Sequence, residues 1–219
     1  MNKKVLYSVV SLIFILFVVV VSFICFGSKK NSDKVKEEVP VKVEKPFITE
    51  YSIEEVSDEE VKEIFLNNHA MAIGDSMGEG LDAYKVLYSE SVVYTRGRRI
   101  DNMVKDMPKV IEYNPKYLFL SYGANDIIKW NGDVEGFINA YKNSISYIKE
   151  VLPDTIIIIN SVLPVSEKAI NNKSAFTYQS EFNSKLMELC KSMEIDFLEN
   201  SRFLLEKEEP YGYDGIHPK

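Results

Sequence analysis

Residues 69–78 read His69-Ala70-Met71-Ala72-Ile73-Gly74-Asp75-Ser76-Met77-Gly78. A short run that is apolar at successive positions ends on Gly-Asp-Ser and gives way to residues with helical spacing. A run apolar on both faces suits a strand covered on both sides, and the change of period marks a turn into a helix. The polar turn then stands at the carboxyl end of the strand, at the start of the helix.

The same unit recurs outward from this stretch. Apolar runs lie at 70–73, 91–95, 117–122, 155–161 and 195–198, and apolar residues spaced three and four apart fill 81–87, 100–113, 134–151 and 178–193. The order βαβαβαβαβ predicts an α/β class, three layers, a parallel five-stranded sheet and right-handed crossovers. Residues 69–219 suffice for one such core, and no internal repeat is visible.

Upstream, a helix is expected over 53–68 as a linker, with Ser57 and Glu60 in a capping-box pattern and Val61, Ile64 and Phe65 on one face. Residues 28–52, rich in Lys, Glu and Val with Pro40 and Pro46, read as a disordered, solvated tether. Residues 1–27 read as a membrane anchor. Positions 5–26 are 22 residues without a charge, Pro or Gly, and as a helix they reach roughly 33 Å, enough to cross a bilayer core of about 30 Å. No small-x-small cleavage site follows, and Ile24 precedes Cys25 where a lipoprotein signal needs a small residue. An uncleaved transmembrane helix is therefore favoured over a cleaved signal peptide. Lys3 and Lys4 on one side face Lys29, Lys30, Lys34 and Lys36 on the other, so charge does not choose the orientation. The usual behaviour of N-terminal anchors puts the bulk outside, in an extracytoplasmic position.

The chain of 219 residues is 46% hydrophobic and 27% charged, with net charge -7. The anchor carries +2, residues 28–68 carry -4 and residues 69–219 carry -5. A domain at -5 without a basic run lacks the footprint of nucleic-acid binding. Cys25 and Cys190 are too few for a disulfide framework or a Cys-rich zinc site, and His69 and His217 exclude any site built on three histidines.

In an open parallel sheet, ligands bind beyond the carboxyl ends of the strands. The turns there are Gly74-Asp75-Ser76-Met77-Gly78, Thr95-Arg96-Gly97-Arg98 and Gly123-Ala124-Asn125-Asp126, joined by the late loop Tyr213-Asp214-Gly215-Ile216-His217-Pro218. Ser76, at a helix start, is the candidate nucleophile. His217 is the candidate base, and Asp214 can fix its tautomer. The Ser76 and Gly97 N–H groups and the Asn125 side-chain amide are candidate oxyanion donors. Asp75, Arg98 and Asp126 are possible substrate contacts. The bland readings are a helix cap for Ser76, strand-end turns for the glycines, a loop-holding role for Asp126 and a surface position for His217. The joint placement of Ser, Gly, Asn and His on one edge favours the functional reading.

Gly74-Asp75-Ser76, Gly97, Gly123-Ala124-Asn125-Asp126 and Asp214-Gly215-Ile216-His217-Pro218 resemble the four blocks of the SGNH, or GDSL, hydrolases, in order. The resemblance runs from about Met71 to Lys219 and implies a flavodoxin-like fold. It also implies ester hydrolysis or acyl transfer with no metal and no cofactor. By position it assigns Ser76 as nucleophile, Gly97 and Asn125 to the oxyanion hole, and Asp214 and His217 to the remaining dyad. Family members continue past the His block into a further helix, whereas here two residues follow His217, so the bracing of that loop is the point to check.

The expected function is that of a membrane-tethered serine esterase or acyltransferase. Its substrate would be an O-acylated carbohydrate or a lipid ester, with O-acetyl groups on cell-surface carbohydrate foremost. Two alternatives stand. One is an SGNH-like domain that has lost catalysis and binds cell-wall glycan or a partner protein. The other is a metal-dependent phosphoesterase using Asp75, Asn125, Asp126, Asp214 and His217, which one of only two histidines makes ligand-poor.

Overall fold

The computed structural model describes residues 56–219. The anchor expected at 5–26 and the tether at 28–52 lie outside the described residues. Among the described residues no helix is long and apolar enough to cross a membrane.

Five strands, β1 (Ala70–Gly74), β2 (Val92–Tyr94), β3 (Tyr117–Ser121), β4 (Ile156–Asn160) and β5 (Asp196–Leu198), form one sheet in the order β2-β1-β3-β4-β5. Every pairing is parallel. The period of two divides the apolar runs between two cores. Met71, Ile73, Leu118, Leu120, Ile157 and Ile159 face one layer, and Ala70, Ala72, Tyr117, Phe119 and Ile158 face the other. This is why the runs are apolar at successive positions.

The second core is closed by α1 (Asp58–Asn67) and α2 (Ser76–Ala83). Ser57 and Glu60 cap α1 reciprocally, the Ser57 N–H donating to Glu60 Oε2 at 2.7 Å. Val61 and Phe65 are fully buried, with the Phe65 ring stacked on Phe119. The helix expected as a linker is thus a packed part of the α/β layers.

The first core is covered by α3 (Met107–Tyr113), α4 (Ala124–Trp130), α5 (Val134–Val151) and α7 (Gln179–Ser192), with short α6 (Glu167–Asn172) before α7 and α8 (Ser201–Leu205) after β5. Phe137, Tyr141, Ile145 and Ile148 of α5 recur at the expected spacing and are all buried.

Three local expectations change. The helix after β1 runs over Ser76–Ala83 rather than 81–87, so Ser76 is inside it. The stretch 100–113 is divided into a 3-10 segment, Ile100–Lys105, and α3, with Asp106 at the junction and Pro108, which cannot continue the preceding turn, in the first turn of α3. The polar stretch after β3 opens α4 instead of staying a loop.

The chain leaves β1 for β2 on one side and β3 on the other. That reversal opens a crevice at the carboxyl ends of β1 and β3.

Candidate active site

The turn after β1 is built by Asp75. Its Oδ1 accepts the Met77 N–H at 3.0 Å, which makes Asp75 the cap of α2 and leaves Ser76 as the first helical residue. The capping role that could have explained Ser76 is therefore filled by its neighbour. Among the described residues the Ser76 N–H has no backbone acceptor, as expected for the first turn of a helix.

The late loop reaches this turn. Ser76 Oγ lies 2.8 Å from His217 Nε2, and His217 Nδ1 lies 2.6 Å from Asp214 Oδ2. An ionised carboxylate only accepts, so Nδ1 carries the ring proton and Nε2 is left to accept the Ser76 hydroxyl proton. Partial burial works against ionisation of Asp214. The N–H groups of Ile216 and His217 and the His217 ring outweigh it and hold the carboxyl below its ordinary range. The His217 and Asp214 side chains are 43% and 46% exposed, so water screens their attraction.

The bracing of this loop comes from backbone pairing. Tyr211 and Pro218 form an antiparallel bridge, Gly212 N–H donates to His217 O at 2.8 Å, Lys219 N–H donates to Pro210 O at 3.0 Å, and Ser166 N–H donates to Gly215 O at 2.8 Å. Lys219 also pairs with Glu209. These bonds brace the loop that carries His217.

Gly97, after β2, has φ 73, a left-handed backbone that favours glycine. It lines the same cleft as Ser76 and His217, and among the described residues its N–H has no backbone acceptor. Asn125 is placed differently from its expected role. Its Nδ2 donates to Asp75 Oδ2 at 2.9 Å and approaches Arg98 O at 3.4 Å, and the residue does not line the cleft.

Two of the possible substrate contacts are likewise turned inward. Arg98 forks onto Asp106 at 2.6 and 2.8 Å, with Thr95 Oγ1 donating to the same carboxylate, and neither ion is more than 15% exposed. Asp126 is fully buried, with Oδ1 accepting the Ile100 N–H at 3.0 Å and Oδ2 without a protein partner. Arg96 and Arg99 also pair with carboxylates, Glu79 and Asp101. Asp75 borders the cleft at 1% exposure. Burial pushes its carboxyl up to about 6, against the Met77 N–H, the Asn125 amide and the His217 charge. Burial pushes Asp126 up to about 7, against the Ile100 N–H and helped by the Asp75 charge. Cys190 is fully buried, and burial raises its thiol to about 12.

The cleft holds about 610 Å³. Met77, Leu81, Tyr84, Val162 and Leu163 give it an apolar wall, while Ser121, Asn160, Ser161 and Asn200 give it a polar floor. The floor residues escaped the sequence reading. Their one signal is that two strand-like apolar runs stop abruptly on Ser and Asn. Tyr122 borders the cleft at 2% exposure, whereas Trp130 lies in a separate groove against Ile100 and Tyr147. His69 stacks on Tyr113 at the start of β1, away from the site. Among the described residues no group of three or more His, Cys, Asp and Glu is arranged to hold a metal ion.

No curated protein matches the chain in sequence. Several solved structures share its fold. A provisionally described platelet activating factor from Streptococcus pneumonia is 23% identical, with 69% of this chain and 76% of that chain covered at a TM-score of 0.57. A GDSL-like lipase from Bacteroides thetaiotaomicron is 17% identical, with 70% and 81% covered at 0.55. A carbohydrate esterase family 3 protein from Talaromyces cellulolyticus is 14% identical, with 68% and 87% covered at 0.51. Residues 72–219 match the GDSL-like Lipase/Acylhydrolase family as a whole, a span that takes in all four sequence blocks. The chain therefore belongs to the GDSL-like lipase/acylhydrolase family, the SGNH hydrolases, and is a serine ester hydrolase.

Proposed function

We propose that the chain is a membrane-tethered, extracytoplasmic esterase acting on O-acetyl groups of cell-surface carbohydrate, by hydrolysis or by transfer to another hydroxyl. The observation that carries the chemistry is the unbroken line from Ser76 Oγ to His217 Nε2 and from His217 Nδ1 to Asp214. Ser76 Oγ attacks the ester carbonyl carbon while its proton passes to Nε2. The Ser76 and Gly97 N–H groups stabilise the oxyanion, and Asn125 joins them only by releasing one of its present acceptors. His217 then gives the proton to the departing alkoxide, which leaves as the alcohol. Water, or an acceptor hydroxyl, loses its proton to His217 and attacks the acyl carbon, restoring the Ser76 hydroxyl.

Location and cleft chemistry support the substrate. The uncharged run at 5–26 supplies an anchor, and residues 28–52 give the domain reach over the surface. The polar floor suits a hydroxyl-bearing alcohol, and the carbohydrate esterase among the fold relatives fits this choice. A fluorophosphonate probe is expected to label Ser76 in wild type and leave Ser76→Ala unlabelled. Acetyl esters are expected to turn over faster than octanoyl esters. An unlabelled wild-type serine overturns the chemistry, and a preference for long acyl chains overturns the substrate.

A further inference from the structure

Beyond Ser76 the floor of the cleft is a directed row of hydrogen bonds. Asn200 Nδ2 donates to Asn160 Oδ1 at 2.9 Å, and Asn160 Nδ2 donates to Ser121 Oγ at 2.8 Å. Asn160 ends β4, Ser121 ends β3, and Asn200 follows β5, so the row crosses the sheet edge towards β1. All three residues line the cleft, and the two amides are 4% and 1% exposed.

The direction of the row decides what Ser121 offers. Each amide gives its N–H towards β1, so Ser121 Oγ already accepts, and its own proton goes to no side chain among the described residues. Chained donors polarise one another in a low-dielectric setting, which makes the last hydroxyl the stronger donor. That hydroxyl stands next to the nucleophile turn. Ser121 Cβ is 3.1 Å from where a Cβ on Gly74 would lie, and Ser121 O accepts the Asp75 N–H at 3.4 Å. At the far end, Asn200 Oδ1 is buried without a protein donor. The row therefore leaves one buried acceptor unsatisfied, which is destabilising, and its own hydrogen-bond balance does not account for it.

The proposed reaction turns the ester carbonyl oxygen to the Ser76 and Gly97 N–H groups, and Gly97 lies after β2, across β1 from Ser121. An acetyl methyl has nothing to accept a hydrogen bond. The oxygens that remain belong to the alcohol. We propose that Ser121, held by Asn160 and Asn200, is a specificity-determining donor to an oxygen of a polyhydroxyl alcohol, placing the sugar portion of an acetylated carbohydrate on the β3–β5 side of the cleft. This inference rests on the esterase reading of the same site.

The test compares kcat/KM for an O-acetylated methyl glycoside with kcat/KM for p-nitrophenyl acetate, whose alcohol carries no further hydroxyl. Ser121→Ala is expected to lower the ratio of the two by about tenfold, the effect of one lost hydrogen bond. Ser121→Cys, close in size but a weak donor, is expected to lower it as well, which covers the case of an unfolded alanine variant. A ratio within twofold of wild type in a folded variant overturns the proposal. So does wild-type turnover of p-nitrophenyl acetate without turnover of the glycoside, which leaves the esterase reading standing. If wild type processes neither ester and the fluorophosphonate does not label Ser76, the esterase reading fails and the proposal with it.

Discussion

Asp126 gives the sharpest quantitative check on the structure. It is fully buried beside the site, with Oδ1 on the Ile100 N–H and Oδ2 unpartnered, and burial lifts its carboxyl from the ordinary 3.8 to about 7. In the unfolded chain the group ionises near pH 4. Between these limits the folded protein holds a proton that the unfolded chain has lost. Stability from this group is therefore fully present below about pH 4 and is lost as pH rises through 7. At about 1.4 kcal/mol for each pH interval, the loss by pH 8 is at most about 4 kcal/mol. Asp126→Asn is neutral throughout and resembles the protonated acid. At pH 5 the folded wild type is still protonated and only its unfolded chain has ionised, so about 1.6 kcal/mol of that total is already lost. By pH 8 the folded wild type carries the buried charge, and between the two pH values the variant should gain on it by about 2–3 kcal/mol, the two pH intervals from 5 up to 7. The assay is urea unfolding of both proteins at pH 5 and pH 8, and the quantity of interest is the change in their difference, which cancels any fixed effect of the amide. A change below about 0.5 kcal/mol means that Asp126 is ionised at both pH values and refutes the account of its burial.

Three further outcomes follow from particular contacts. Asp214→Asn should lower kcat for p-nitrophenyl acetate by roughly 10- to 1,000-fold, the range set by a charge about 4 Å from a developing imidazolium between water-like and protein-like screening. A loss below threefold would remove Asp214 from the line. At Gly123, φ is 150 and a Cβ would meet Val162 Cγ2 at 2.2 Å, so Gly123→Ala should cost about 3 kcal/mol in urea unfolding. Adding Val162→Ala should recover part of that, and no recovery would mean that backbone strain alone is responsible. Asp106→Ala leaves the Arg98 guanidinium, 15% exposed, without its carboxylate. It should destabilise by about 3–5 kcal/mol, and a loss under 1 kcal/mol would show that Arg98 finds a new partner.

Where the fold was legible, a period of the chain decided it. Ile156–Asn160 and Tyr117–Ser121 are apolar at successive positions because helices cover both faces of the sheet, and α5 repeats every three or four residues because only one of its faces is covered. Departures came where capping and turn residues overrode the apolar pattern. Glycines 78 and 80 hide the start of α2, which Asp75 caps through a side chain. The stretch 100–113 breaks at Asp106, ahead of Pro108 in the first turn of α3. Gly123-Ala124-Asn125-Asp126 reads as a turn, yet it opens α4.

The site divides in the same way. Strand period and turn composition are local properties, so the class of fold, the turns that gather on one edge and the residue types able to perform acyl chemistry are written along the chain. Which of those residues meet is settled by folding. It set Ser76 against His217 across 141 positions of chain and held the late loop by backbone pairing. It turned Arg98 and Asp126 inward and aligned Ser121, Asn160 and Asn200 along the floor. The direction of a side chain depends on which distant partner satisfies its charge or hydrogen bonds, and a one-dimensional pattern carries no record of that partner.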